Sequence, residues 1–156
     1  MNALWTSLVA VFGTLAGGVL AGATQGRVAR IERRDNRAEA RRADALAAVT
    51  ALVTALADHR RTMWSLGELR LSGADDQAVT EAQQASHRTR SAVTTPLVTV
   101  RILTPELGTL ATQATEATFA MRNPADSDTL QERRAAARRA SDDLVDAASE
   151  FFTKYA

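Results

Sequence analysis

The stretch "ALAAVTALVTALADHRRTMWSLGELRLSGADD", Ala45 to Asp76, decides the fold. Ala45, Val49, Leu52, Leu56, His59, Met63 and Leu66 recur at steps of 4, 3, 4, 3, 4 and 3. On an α-helix these steps place all seven residues on one stripe. The stripe stops at "SGADD". There Gly73 can end one helix in a left-handed conformation, and Asp75 or Asp76 can cap the next. The segment reads as a long amphipathic helix turning into a second.

The second stripe is Val79, Ala82, Ser86, Thr89 and Val93, running into "TTPLVTVRIL" (94–103). Pro96 is expected to bend or restart the helix there, and this is the one run that also reads as a strand. "TPEL" (104–107) looks like an N-cap threonine, a proline at the first helical position and an early glutamate. The helix it opens carries Leu107, Leu110, Ala114, Ala117 and Met121. "RNPADSDT" (122–129) breaks the chain around Asn123 and Pro124, and Asp128 with Gln131 reads as a capping box. The last stripe is Leu130, Ala137, Leu144, Ala148, Phe151 and Tyr155. Composition agrees: hydrophobic residues reach 46%, much of it alanine, and aromatics only 4%, which suits close-packed helices better than a sandwich of strands. The expected architecture is all-α, with residues 45–156 forming an antiparallel bundle of three to four helices.

Upstream, Ala3 to Ala23 reads "ALWTSLVAVFGTLAGGVLAGA", about twenty apolar or small residues, enough to cross a hydrocarbon core of about 30 Å. Trp5 lies near one end, and seven arginines fall between Arg27 and Arg42 beyond the other. Positive flanks stay inside, so the expectation is a single-pass cell-membrane anchor over 1–26, N-terminus outside, with an Arg-rich juxtamembrane helix over 27–44 and a cytoplasmic bundle. A secretory signal peptide ending at "AGA" and a helix buried in a soluble bundle are the competing readings. Gly13, Gly17, Gly18, Gly22 and Gly26 are spaced for close helix packing, from which self-association into a homo-oligomer is expected.

Arg27, Arg30, Arg34, Arg37 and Arg41 form a stripe, with Arg33 beside it. Like charges at i, i+4 weaken a helix, so the stripe favours an anionic partner. Lipid headgroups account for its first part. Arg41 would stand about 21 Å beyond Arg27, outside the reach of the surface field, so its partner is left open among another copy, DNA and water.

Catalytic chemistry has little to work with. There is no cysteine, which excludes disulfides and thiolate zinc sites, and only two histidines occur. HExxH, GxSxG and Gly-rich phosphate loops are absent, so no enzyme, metal or cofactor is expected. One constellation does emerge. His59 lies fourteen residues before Gly73 and His87 fourteen after it, so a hairpin turning there sets them at one height. With Arg60 and Arg90 they form a polar layer. The preferred reading is a hydrogen-bonded layer that fixes the register of the hairpin, and the alternative is a pocket holding a phosphate or carboxylate through the arginines.

In the apolar start with its Arg-rich follow-on, in "AAVTALVTALADHRRTMW" (47–64), in "SHRTRSAVTTPLVTVRIL" (86–103) and in "ATFAMR" (117–122), the chain resembles small actinobacterial KilB-type plasmid spread proteins. The resemblance covers most of the chain and brings no catalytic residues. It implies a membrane-associated, non-enzymatic role in conjugal plasmid transfer, with a protein of the DNA-transfer machinery as partner. A phage-type holin-like membrane effector and a soluble DNA-binding bundle are the alternatives.

Overall fold

The computed structural model describes the backbone of residues 2–154 and the side chains of residues 34 and 36–154. Its helices are α1 (Asn2–Leu71), α2 (Asp76–Leu103), α3 (Gly108–Phe119) and α4 (Ser127–Lys154), with a 3-10 turn at Pro105–Leu107 before α3. No strand occurs among the described residues, so "PLVTVRIL" is helical. The chain divides into two compact units, Met1–Arg41 and Arg42–Ala156. In the first, the described side chains, Arg34, Arg37 and Arg41 among them, are all exposed.

The second unit is an antiparallel bundle, and its register can be followed pair by pair. Along α1, Arg42 donates to the Phe152 carbonyl, Arg60 meets Ser141, Trp64 meets Arg134 and Gly67 meets Leu130, so α4 runs in the opposite direction. Arg70 with Gln83 and His59 with Thr89 show the same for α2. Gly73 turns the hairpin at φ 67°, and the Asp75 carboxylate accepts from the Ala78 N–H at 2.9 Å. Both are the residues the turn chemistry demands.

The 4-3 stripe is the core. Val49, Leu52 and Leu56 pack with Val93 and Val100 of α2, Ala111 and Ala114 of α3, and Leu144 and Ala148 of α4. A second cluster joins Met63 and Leu66 to Met121, Leu130 and Ala137. His59 lies in the stripe between them, with a fractional exposure of 2%. The alanines let α3 and α4 come close, and Gly67 does the same for α1: a Cβ there would stand 2.7 Å from Leu130 Cδ2.

Three local expectations are corrected. Pro96 does not restart the helix; α2 continues through it to Leu103, because one lost N–H is outweighed by the burial of Val93 and Val100 on either side. Thr104 does not cap α3. It is fully buried, and its hydroxyl and backbone N–H both donate back to the Val100 carbonyl, at 2.9 and 2.8 Å, so a 3-10 turn opens the next element instead. The cap of α4 is Asp126 and not Asp128: its Oδ1 accepts from the Thr129 N–H at 2.7 Å. That backbone bond, then the Thr129 hydroxyl, holds the Asp126 carboxyl below its usual range.

The larger correction concerns the membrane. Among the described residues, no helix is long and apolar enough to cross one. This overturns the transmembrane helix expected in the fold and the single-pass localisation with its outside and cytoplasmic sides. The expectation rested on the length of an uncharged run. The helices whose side chains are described, α1 from Arg34 on, α2 and α4, instead bury a single stripe each and carry charged residues over the rest, which hydrocarbon would not accept. The side chains expected to pack or anchor that segment (Trp5, Gly13, Gly17, Gly18, Gly22 and Gly26) lie outside the described residues, as do those of Arg27, Arg30 and Arg33.

Candidate functional site

Below the core, α1, α2 and the α3–α4 connection enclose a cleft of about 310 Å³. On α1 its residues are His59, Met63, Leu66 and Arg70, the same stripe carried one step further. On α2 they are Gln83, Ser86, His87 and Arg90, one face over two turns. Phe119, at the end of α3, and Arg122 and Asn123, in the following turn, complete it. The lining thus holds three guanidiniums and two imidazoles and not one carboxylate.

His59 Nδ1 lies 2.9 Å from Thr89 Oγ1. The Thr89 hydroxyl also lies within hydrogen-bond reach of the carbonyls of Ala85 and Ser86, at 3.2 and 3.1 Å. The pair is hydrogen-bonded in either ring tautomer: Nδ1–H donates when the hydroxyl proton goes to one of these carbonyls, and Nδ1 accepts when it does not. The ring also meets Phe119 edge to face at a centroid separation of 5.3 Å. Burial first, and then the charge of Arg90, lower the imidazole from 6.5 to about 4. His59 is consequently neutral at neutral pH.

The arginines are held by neutral groups. The Arg90 guanidinium lies over the Phe119 ring, 3.8 Å from its centroid. Arg70 donates through Nη1 to Asn123 Oδ1 at 2.9 Å and through Nη2 to Gln83 Oε1 at 2.7 Å. Asn123 has φ 48°, a left-handed conformation that costs most residues energy but that asparagine tolerates. Its turn is held by Arg133, whose Nη1 donates to the carbonyls of Ala120 and Arg122. Arg122 is exposed at the rim. One ion pair forms among the described residues, Arg61 with Asp58 at 3.3 Å, and it is not here.

Of the four residues expected in a polar layer, the fold brings three together. His59, His87 and Arg90 share the cleft, whereas Arg60 points across to α4 and donates to Ser141 Oγ at 3.3 Å. A step of one residue on a helix is a turn of about 100°, which moves Arg60 off the face of His59. Burial, then Arg138, lowers its pKa, with Asp142 opposing and Arg134 and Arg61 adding to the shift. Other buried polar side chains, Ser86, Thr115, Thr118 and Ser141, each donate to a carbonyl of their own helix. Sequence reasoning missed Arg70, Gln83, Phe119, Arg122 and Asn123. Arg70 was findable, since it continues the stripe past Leu66; Arg122 and Asn123 belong to a turn whose position no periodicity reports.

Among the described residues, no group of three or more His, Asp and Glu could hold a metal. A second, apolar groove of about 570 Å³ runs between α1 and α4, bordered by the exposed Leu46 and Val145 and by Phe152. Its one charged residue, Arg42, is engaged with the Phe152 carbonyl.

Comparison with known proteins agrees with the resemblance read from the sequence. Residues 46–152, which include every cleft residue, match the family described as KilB plasmid transfer protein. The chain is also 49% identical to Protein KilB of Streptomyces lividans over 147 residues, 94% of this chain and 97% of that protein. No solved structure matches. The chain belongs to the KilB plasmid transfer protein family.

Proposed function

We propose that this member of the KilB family acts in plasmid transfer as a non-enzymatic helical module that works by binding. The observation that carries the reading is the family match over nearly the whole bundle, on which the cleft is built. The chemistry of the cleft supports binding over catalysis. Its charged groups are guanidiniums, which recognise anions and do not shuttle protons, and its one buried imidazole is held neutral. The reading includes self-association and a partner within the DNA-transfer machinery. The exposed Arg34, Arg37 and Arg41 of α1 are further positions at which an anionic partner, DNA included, would be met.

The test is complementation. A Streptomyces lividans plasmid deleted for its Protein KilB should regain transfer when this chain is expressed beside it. Expression at normal levels with no recovery of transfer would sink the reading. Sedimentation velocity of the purified chain tests self-association, which predicts a species heavier than 16.7 kDa.

A further inference from the structure

We propose that the cleft is a binding site for one phosphate group carried on a small molecule, held by Arg70, Arg90 and Arg122. These come from α1, α2 and the turn after α3 to a single recess. The inference does not rest on the role in plasmid transfer; it concerns binding alone.

Charge is the first argument. Three guanidiniums share a recess that no carboxylate lines, in a bundle whose surface is otherwise well supplied with acids. Like charges brought together repel, and an oxyanion among them removes that cost. The same uncompensated field contributes to keeping His59 neutral. The second argument is preorganisation. Arg70 is fixed by Asn123 and Gln83, and Arg90 by the face of Phe119. These partners are neutral, so they set position without cancelling charge, and a guanidinium with five N–H donors keeps several free. Asn123 adopts its left-handed backbone at the point where its side chain orients Arg70.

The form of the anion follows from donor number and shape. A phosphate dianion offers more oxygens and more charge than a carboxylate, and three planar forks suit it better. Duplex DNA presents a continuous ridge, about one charge per 1.7 Å of axis, and calls for cations spread in a row, whereas Arg70, Arg90 and Arg122, although exposed, converge on one recess. A cavity of about 310 Å³ lies at the lower end of the range usual for small-molecule sites, so the group carrying the phosphate is small.

The experiment is isothermal titration calorimetry on the full chain in a phosphate-free buffer, using inorganic phosphate, glycerol 3-phosphate, acetate and a short DNA duplex. The expected result is one site for each phosphate and none for acetate. Arg122→Gln and Arg90→Gln should each weaken binding about tenfold, the loss expected for a charge-assisted contact. Arg139→Gln, exposed on α4 and outside the cleft, should change nothing. Arg122 makes no side-chain contact that folding needs, so its variant remains decisive if Arg90→Gln unfolds. The proposal is overturned if neither phosphate binds, if Arg122→Gln leaves their affinity unchanged, or if acetate binds equally well. Binding of the duplex alone, lost in Arg122→Gln, would also overturn it and assign the cleft to nucleic acid.

Discussion

Acidification should weaken this protein through His59 before its carboxylates matter. The unfolded chain takes up a proton near the ordinary imidazole value of 6.5, whereas the native ring, buried and beside Arg90, does so only at about 4. A depressed native value means that the stabilisation is complete above pH 6.5 and is lost as pH falls toward 4. Linkage puts the loss at about 2 kcal/mol by pH 5 and about 3 kcal/mol by pH 4. Against a total of about 5–15 kcal/mol for a domain, that is a large share. Urea unfolding followed by circular dichroism, at several pH values, would measure it. His59→Gln keeps a polar contact for Thr89 and cannot titrate, so the difference between the two proteins isolates the ring; His87 and all carboxylates are common to both. That difference should shrink by about 3 kcal/mol between pH 7 and pH 4. A difference that stays constant over this window would show that the ring is not held neutral, and the account of His59 would be wrong.

Packing and capping give three further expectations, each readable from thermal or urea unfolding. Gly67→Ala gains up to about 1 kcal/mol of helix propensity, yet its Cβ would meet the fully buried Leu130, and overpacking of about 1–3 kcal/mol should leave the variant less stable; a stabilised variant would refute the close approach. Leu144→Ala, at a site of zero exposure, should cost about 2–5 kcal/mol, while its neighbour Val145→Ala, 44% exposed, should stay within about 0.5 kcal/mol of wild type. Asp75→Ala removes the acceptor of the Ala78 N–H and should cost about 1 kcal/mol; no change would mean that water caps α2 equally well.

The parts that were legible in the sequence are those governed by neighbours along the chain. The 4-3 spacing from Ala45 to Leu66 specified an amphipathic helix, and the residues Gly73 and Asp75 specified how it turns, because backbone conformation and the first turn of a helix are decided within a few residues. The hairpin then set His59 level with α2, which is why His87 and Arg90 were found together with it. Where two local rules competed, packing chose between them: Thr104 had a cap's chemistry but was drawn into the core, and Asp126 took the role that Asp128 could equally have filled. The membrane span was expected in Ala3 to Ala23, whose side chains lie outside the described residues, and no described helix is long and apolar enough to supply one.

By itself, then, the sequence determined an all-helical chain, the position of its central turn and the stripe that becomes its core. Only the tertiary structure decided which charges share a recess. Arg60 and Arg90 looked equivalent beside the histidines, but a single helical step of about 100° sends Arg60 to Ser141 on α4. Arg122 and Asn123 arrive at the cleft from more than fifty residues beyond Arg70, through a turn held by Arg133. Such meetings depend on how three helices pack, and packing is a sum over contacts between residues distant in the chain, which no local pattern records.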